Sequence, residues 1–177
     1  MIIEKVKSAE YDRVKAFYYA VIDGFEGMPY HPCWEKDIYP APEQLKDLIE
    51  KGEMFVGTED NEIICAMALN HDNNESYDNF DWPTKASKDD VYVIHMLATL
   101  PKYGKQGKAK EMVRYAIEKA KQENCKAIRL DVLKGNLPAN KLYESFDFVK
   151  LATVPMYYPD TGWTDFELYE LALQEGL

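Results

Sequence analysis

The sequence contains few cysteines, and they form no recognisable motif. Cys33, Cys65 and Cys125 are far apart in the chain and odd in number. Because no Cys-x-x-Cys pair occurs, the sequence predicts neither a disulfide framework nor a zinc knuckle. His31 and His71 have no standard ligand spacing to Cys33, so no metal site is expected. A chain without disulfides suits a reducing compartment, and the expected location is the cytoplasm.

Long apolar runs are also missing. No segment is apolar for long enough to span a bilayer, so no membrane association is expected. Residues 1–7 alternate apolar and polar side chains, unlike the apolar stretch of a signal peptide. Of the 177 residues, 46% are hydrophobic and 29% are charged, which is typical of a globular protein with a sizeable core. No repeat or clear linker divides the chain, so we expect a single domain over residues 1–177.

Basic residues are scarce outside one block of an acidic chain whose net charge is −10. Residues 1–100 hold 20 acids and 9 bases, and residues 151–177 hold 5 acids and no base. Residues 101–150, by contrast, hold 6 acids and 12 bases. A nucleic-acid-binding protein needs a broad basic face, so this distribution excludes that class. The basic block is either a solvated helix face or a local anion site.

Hydrophobic periodicity predicts the element order β-α-α-β-β-β-α-β-α-β-β, a mixed α/β fold around one twisted sheet. Strands are predicted at residues 2–6, 54–58, 63–70, 91–100, 127–133, 148–154 and 166–173. Helices are predicted at residues 8–22, 42–51, 106–122 and 138–145. Ser8 is expected to cap the first helix, and Gly52 to end the second. Residues 24–42 and 72–90 are expected to be loops.

The central feature is a buried strand, a turn rich in glycine and lysine, and then an amphipathic helix. At a helix start, backbone N–H groups without intrahelical partners point outward, and the helix dipole is positive. Gly104 and Gly107 let a ligand approach the backbone closely. This arrangement suits a pyrophosphate, although it is neither a P-loop nor a dinucleotide-binding fingerprint. Further positive charge comes from Lys102, Lys105, Lys108 and Lys110.

Residues 104–109, Gly-Lys-Gln-Gly-Lys-Ala, resemble the turn of motif A in the GNAT (Gcn5-related N-acetyltransferase) superfamily. The family pattern is Arg/Gln-x-x-Gly-x-Gly/Ala. The final Gly-x-Ala matches, whereas Gly104 replaces the customary Arg or Gln. In the family, the strand before this turn splays from its neighbour, and its exposed backbone pairs with the pantetheine arm of acetyl-CoA. Residues 97–99 occupy that place here.

Residues 130–148 resemble motif B, which is a strand followed by Asn-x-x-Ala-x-x-Leu-Tyr and often Leu-Gly-Phe. The matching positions are Asn136, Ala139, Leu142, Tyr143 and Phe148. Asp147 replaces the usual glycine, and Asp tolerates the left-handed turn conformation. The resemblance implies a GNAT fold with about six or seven strands and about four helices. It implies that acetyl-CoA contacts Leu97, Ala98, Thr99, Lys102, Gly104, Lys105, Gln106, Gly107, Lys108, Ala109, Asn136 and Tyr143.

The resemblance places Tyr143 near the sulfur as the general acid, and a phenol can donate a proton at neutral pH. The alternative is a packing residue on a short helix. His95 aligns with the catalytic glutamate of histone-acetylating relatives, and a histidine there could accept a proton near pH 7. The alternative is a core histidine bonded to a neighbouring strand or loop. Other candidates for the base are Asp78, Asp81 and Glu35.

Aromatic residues fall in segments that wall the acceptor pocket in the family. They are Trp34, Tyr39, Tyr77, Phe80 and Trp82, which otherwise form a satellite hydrophobic cluster. Tyr157, Tyr158 and Trp163 are expected on the loop before the last strand, where they could close the same pocket. The acidic N-terminal half favours a cationic acceptor, such as a polyamine, an amino sugar or a lysine side chain.

The resemblance therefore implies an acetyl-CoA-dependent N-acetyltransferase that acts on an amine of a small molecule or peptide by direct attack. One alternative is a non-catalytic module of the same fold that senses or binds acyl-CoA, and Gly104 and Asp147 are departures that such a copy would show. An interaction protein with no small ligand leaves the basic turn unexplained. A nucleotide-binding enzyme would need a Walker lysine–hydroxyl pair, which is absent. Members of the family often form homodimers, but no motif here indicates one.

Overall fold

The computed structural model describes residues 1–173, so the last four residues of the expected 1–177 domain lie outside the described residues. Its strands and helices follow the predicted order, and the predicted mixed α/β class around one sheet is confirmed. The strands are β1 (Ile2–Lys5), β2 (Met54–Glu59), β3 (Glu62–Asn70), β4 (Val91–Thr99), β5 (Ala127–Leu133), β6 (Val149–Tyr158) and β7 (Gly162–Ala172). The helices are α1 (Tyr11–Asp23), α2 (Pro42–Glu50), α3 (Lys108–Gln122) and α4 (Leu137–Glu144). None of these helices, in the part of the chain that is described, is long and apolar enough to cross a membrane.

The seven strands form one mixed sheet in the order β1-β2-β3-β4-β5-β7-β6. Within the described residues, β4 pairs with β5 at three positions only, Val91, Tyr92 and Val93. A register shift between β3 and β4 accompanies a left-handed residue, Met96, whose φ is 53°. Such a bulge bends a strand and re-aims its side chains. The two central strands therefore diverge beyond Val93 and leave a cleft in the sheet.

Each face of the sheet is covered by different elements. Helices α1 and α2 pack on one face of β2, β3 and β4, whereas α3 packs on the opposite face against apolar side chains of β3 and β5. Where no helix covers the first face, the loop at residues 72–90 takes its place. Tyr77 and Trp82 of this loop are buried against Val93, Phe166 and Leu168. The loop is thus part of the core beside the cleft.

The expected cap at Ser8 is wrong. A short 3₁₀ turn at Ser8–Glu10 precedes α1, and Glu10 occupies the N-cap position of α1. The Glu10 carboxylate accepts a hydrogen bond from the backbone N–H of Lys7 over 3.0 Å. This bond closes the 3₁₀ turn in front of α1, while no side chain caps α1 itself, so regular α-helical structure begins at Tyr11 rather than at residue 8. Gly52 follows α2 with φ 69°, as expected of a residue that ends a helix.

The predicted loop before the last strand is also wrong. Strand β6 continues to Tyr158 and β7 begins at Gly162, so Tyr157 and Tyr158 lie on β6 and Trp163 lies on β7. Pro155, opposite Asp165, is accommodated within β6 because β6 lies at the edge of the sheet. An edge strand tolerates proline, since one side of its backbone needs no partner.

Candidate active site

A groove of about 560 Å³ runs along the end of β4, the turn before α3 and the start of α4. Its walls contain ten of the twelve residues that the sequence predicted for acetyl-CoA. They are Leu97, Ala98, Thr99, Gly104, Lys105, Gly107, Lys108, Ala109, Asn136 and Tyr143. The groove also borders the loop after α1, through aromatic residues that include Phe25 and Trp34. The two sequence motifs therefore meet on one surface.

The start of α3 is built around Gly107. This residue is the N-cap of α3 with φ 78°, a left-handed conformation that favours glycine. No side chain caps the helix start, and a Cβ at Gly107 would meet nothing within 4 Å. The backbone N–H groups of the first turn are therefore available to an anion that lies in the groove.

Two predicted contacts, Lys102 and Gln106, do not line the groove. The Lys102 ammonium pairs with Glu62 over 2.7 Å, and the Gln106 amide donates to the Lys102 carbonyl oxygen over 3.2 Å. Lys108 does border the groove, but its ammonium also pairs with Glu59. The hairpin between β2 and β3 therefore neutralises part of the basic block.

A smaller cavity of about 140 Å³ continues from the groove into the cleft between β4 and β5. The two spaces share wall residues, among them Leu97, Asn136, Ala139 and Tyr143. Tyr143 is 7% exposed and its ring packs edge-on against Phe148, with centroids 5.5 Å apart. Burial raises the pKa of the Tyr143 hydroxyl well above its usual value, so the hydroxyl keeps its proton at neutral pH.

Comparison with known proteins identifies this arrangement. The model of the acetyltransferase (GNAT) family matches residues 16–148, which include both the groove and most of the small cavity. The chain belongs to the GNAT acetyltransferase family. N-alpha-acetyltransferase 30 of Saccharomyces cerevisiae is 36% identical over 69 residues. That match covers 39% of this chain and only 39% of the yeast protein's length.

Solved structures show the same GNAT fold over almost the whole chain. The ribosomal-protein-S18-alanine N-acetyltransferase of Escherichia coli has a TM-score of 0.69 and 17% sequence identity, covering 99% of this chain and 96% of that one. The yncA structure from Salmonella typhimurium, solved with its cofactor acetyl-CoA, has a TM-score of 0.71 and 15% sequence identity. The match covers 100% of this chain and 96% of that one. At these identities, the likeness establishes the fold.

The small cavity of this GNAT domain contains a half-buried carboxylate that sequence reasoning missed. Asp131, on β5, lines the cavity, and its Oδ2 accepts hydrogen bonds from the hydroxyls of Tyr77 over 2.7 Å and Tyr158 over 2.9 Å. Burial raises the pKa of the Asp131 carboxyl, and the two hydroxyls oppose that rise. The available clue was a charged residue within the apolar pattern Leu130-Asp131-Val132 of a buried strand.

A second carboxylate reaches the cavity from the turn between β6 and β7. Within residues 1–173, the buried oxygen Asp160 Oδ1 has no hydrogen-bond partner. Burial, reinforced by the nearby charge of Glu35, raises the pKa of Asp160. An unpaired buried acceptor is costly unless a ligand satisfies it, so Asp160 and Asp131 together favour a cationic guest.

His95 lies in the cavity wall with one ring nitrogen already engaged. Its Nε2 is 2.9 Å from Asn70 Oδ1 and 2.9 Å from the Asp72 carbonyl oxygen. Because both partners are acceptors, Nε2 carries the proton and the ring is a neutral donor. Burial lowers the pKa of His95 to about 4. This geometry favours the interpretation of a histidine bonded to a neighbouring strand and loop over that of a base active near pH 7.

The pKa of His95 predicts a pH dependence of stability. An unfolded histidine titrates near 6.5, so between pH 6.5 and 4 the unfolded chain binds a proton that the folded chain does not. We expect this residue to cost the fold roughly 2 kcal/mol of unfolding free energy as the pH falls from about 7.5 to about 4.5. Denaturant unfolding of the native protein and of His95→Gln at both pH values measures this difference. An equal loss in the two proteins would contradict the prediction.

The other candidates for the base lie outside the small cavity in the described structure. Asp78 accepts a hydrogen bond from the Asn73 amide over 3.1 Å and borders a separate cavity beneath the 72–90 loop. Asp81 is an exposed surface residue that pairs with Lys85. Glu35 lies on the loop before α2, where it pairs with Tyr39 in an isolated bridge. None of these side chains faces Asp131 across the cavity.

The predicted aromatic wall is present in part. Trp34, Tyr39 and Tyr158 line the small cavity, and Tyr77 reaches it through its bond to Asp131. Phe80 and Trp82 instead pack under the 72–90 loop, which agrees with the alternative expectation of a satellite hydrophobic cluster. Tyr157 and Trp163 point outward, with 52% and 72% exposure, and pack against each other. Successive residues of a strand face opposite sides, so Tyr158 faces the cavity and Tyr157 does not.

Proposed function

We propose that the chain transfers the acetyl group of acetyl-CoA to an amine by direct attack. The observation that carries the proposal is the junction at Tyr143, where a groove with an open helix start meets a cavity with a half-buried carboxylate. A groove alone would suit any CoA-binding protein, whereas the adjoining acidic cavity provides a place for a second substrate. The fold shared with yncA, which holds acetyl-CoA in its structure, supports the choice of cosubstrate.

The groove suits acetyl-CoA along its length. The pyrophosphate would lie at the start of α3, where Gly107 leaves the backbone N–H groups open. The pantetheine arm would follow residues 97–99 of β4. Ala98 and Thr99 pair with β3 on one side, and on the other side β4 has already diverged from β5. The thioester would then reach Tyr143 at the mouth of the small cavity.

In the proposed reaction, the acceptor arrives as an ammonium group and gives a proton to the Asp131 carboxylate. The neutral amine attacks the thioester carbon, a C–N bond forms and the C–S bond breaks. As that bond breaks, the sulfur takes its proton from the Tyr143 hydroxyl. The new amide nitrogen then releases its second proton, which returns Tyr143 to its phenol form, and the proton held by Asp131 passes to solvent. The raised pKa of Asp131 brings this base closer to the working pH, and the raised pKa of Tyr143 keeps the acid protonated until the thiolate forms.

We expect Tyr143→Phe to lower kcat by about 10- to 100-fold, because the leaving thiolate loses its proton donor. The KM for acetyl-CoA should change little, since the aromatic ring remains in the wall. Thiol release with a coloured reagent measures both constants. Tyr115→Phe, on the outer part of α3, is the matched control and should keep the native rate. A native rate in Tyr143→Phe would remove this residue from the mechanism.

The acceptor would enter from the side opposite the groove. A third cavity of about 410 Å³ shares Tyr39, His95 and Tyr158 with the small cavity and opens beside α2. Among the described residues that line it are Asp47 and Asp72 and several amides, but no lysine or arginine. This lining favours a protonated primary amine of a small molecule or peptide. The yeast relative's name adds peptide N-termini to the acceptors worth testing.

Calorimetric titration with acetyl-CoA, followed by an amine screen with thiol detection, tests the proposed function. The screen should contain polyamines, amino sugars, lysine-containing peptides and peptides with free N-termini. Micromolar binding followed by thiol release with at least one amine is the expected result. Absence of acetyl-CoA binding would overturn the proposal. Binding without thiol release on any amine would favour the non-catalytic acyl-CoA sensor. The replacement of the family's Arg or Gln by Gly104 is the observation that supports this alternative.

A further inference from the structure

We propose that Tyr77 and Tyr158 are positioning residues that determine which oxygen of Asp131 receives the proton of the acceptor. This inference rests on the proposed function. Both hydroxyls bond the same atom, Asp131 Oδ2, at 2.7 and 2.9 Å. Oδ1 is then the oxygen left for the cavity that Asp131 lines. The carboxylate would present one defined basic atom to the incoming ammonium group.

The two tyrosines approach Asp131 from different parts of the chain. Tyr77 belongs to a short 3₁₀ turn, Glu75–Tyr77, in the loop at residues 72–90, whereas Tyr158 ends β6. Asn74 of the same loop donates to the Tyr157 carbonyl oxygen over 3.1 Å, which ties the loop to β6. Asp131 is therefore held between two elements that are joined to each other.

Packing fixes both phenol rings before any acceptor arrives. The Tyr77 ring is 3% exposed and packs on Trp82, whose indole N–H donates to the Tyr77 carbonyl oxygen over 2.9 Å. The Tyr158 ring packs between Tyr39 and Phe166, with centroids 5.4 and 5.0 Å away. Each hydroxyl can donate one hydrogen bond, and the Asp131 carboxylate accepts that bond in both cases. Substitution by phenylalanine would remove only the hydroxyls.

The hydroxyl bonds also affect when Asp131 can act as a base. Hydrogen bonds to the charged form stabilise it, so Tyr77 and Tyr158 hold the pKa of Asp131 below the value that burial alone would give. The other titratable groups that face this cavity are Tyr39, Tyr143, His95 and Asp160. The tyrosines stay neutral in the acidic range, whereas His95 and Asp160 change charge there, so Asp131 must be observed by itself.

The experiment is a carboxyl ¹³C NMR titration of protein labelled at aspartate, with the Asp131 signal assigned by its loss in Asp131→Asn. We expect Tyr77→Phe to raise the titration midpoint of Asp131 by about one pH unit. Tyr158→Phe should raise it in the same direction, which keeps the test available if one variant folds poorly. Tyr39→Phe is the matched control, because the Tyr39 ring lines the same cavity without a bond to Asp131. The titration midpoint of Asp131 should stay native in this variant.

A pH profile of kcat/KM in Tyr77→Phe completes the test. The acid limb should move to higher pH by the same amount as the NMR midpoint. An unchanged midpoint in both tyrosine variants would overturn the inference, and so would a shifted midpoint with an unmoved acid limb. If no amine supports turnover at all, the proposed function fails, and the NMR midpoints still report whether the tyrosines control this carboxylate.

Discussion

We expect Asp131→Asn to lower kcat/KM for the amine acceptor by about 1,000-fold, which is within the usual contribution of a general base. The asparagine keeps the size of the side chain and an oxygen that can accept from Tyr77 and Tyr158, so the cavity should keep its shape. What is lost is the group that takes the proton of the ammonium. The Kd for acetyl-CoA should remain native, because Asp131 does not line the cofactor groove.

Steady-state thiol release over a range of acceptor concentrations measures this effect, and calorimetry measures the Kd. Asp165→Asn is the matched control, since Asp165 is half-exposed and pairs with Lys134 at the outer end of β7. It removes the same charge and should leave kcat/KM unchanged. A residual activity within tenfold of native in Asp131→Asn would show that another group or water accepts the proton.

The second large effect is expected at the start of α3. Gly107→Glu should weaken acetyl-CoA binding by about 100-fold, because a carboxylate would stand where the pyrophosphate binds. The added side chain would extend from a Cβ that meets no protein atom within 4 Å, so steric rearrangement of the protein is not required. Calorimetric titration of the variant with acetyl-CoA gives the change directly.

Gly107→Gln separates charge from backbone strain. Both variants place a non-glycine residue at φ 78°, and each pays the same cost of that conformation, about 1 kcal/mol. The glutamine variant should bind acetyl-CoA only about tenfold less tightly than the native protein. Equal losses in Glu and Gln would mean that helix geometry, rather than the charge of the side chain, decides the binding. Native binding in Gly107→Glu would place the pyrophosphate elsewhere.

The cofactor groove could be predicted from the sequence because its parts are local. The turn around Gly107 joins β4 to α3 directly, and Tyr143 follows Asn136 by two helical turns. The spacing of residues along the chain is therefore enough to predict most of the residues that line the groove. It could not show that Lys102 and Lys108 are paired with Glu62 and Glu59, because those partners lie on a hairpin 40 and 49 residues earlier in the chain.

The small cavity was harder to predict because its contacts are long-range. Asp131 is 54 residues from Tyr77 and 27 from Tyr158, and neither pairing has a local pattern. The partner of His95 is Asn70, 25 residues away on the neighbouring strand. Leu130 and Val132 pack in the cluster with α3, so Asp131 between them faces the other side of the sheet, and only the fold shows that the 72–90 loop covers that side.

The brief pairing of β4 with β5 has a mechanical consequence. The sheet consists of an N-terminal half, β1 to β4, and a C-terminal half, β5 to β7. Within the described sheet three residue pairs join the halves, and α3 packs across both of them on one face. A pantetheine arm lying in the wedge would hydrogen-bond along the free edge of β4 and act as a removable eighth strand. Cofactor occupancy would then add backbone hydrogen bonds where β4 and β5 have none, as well as supply the acetyl group.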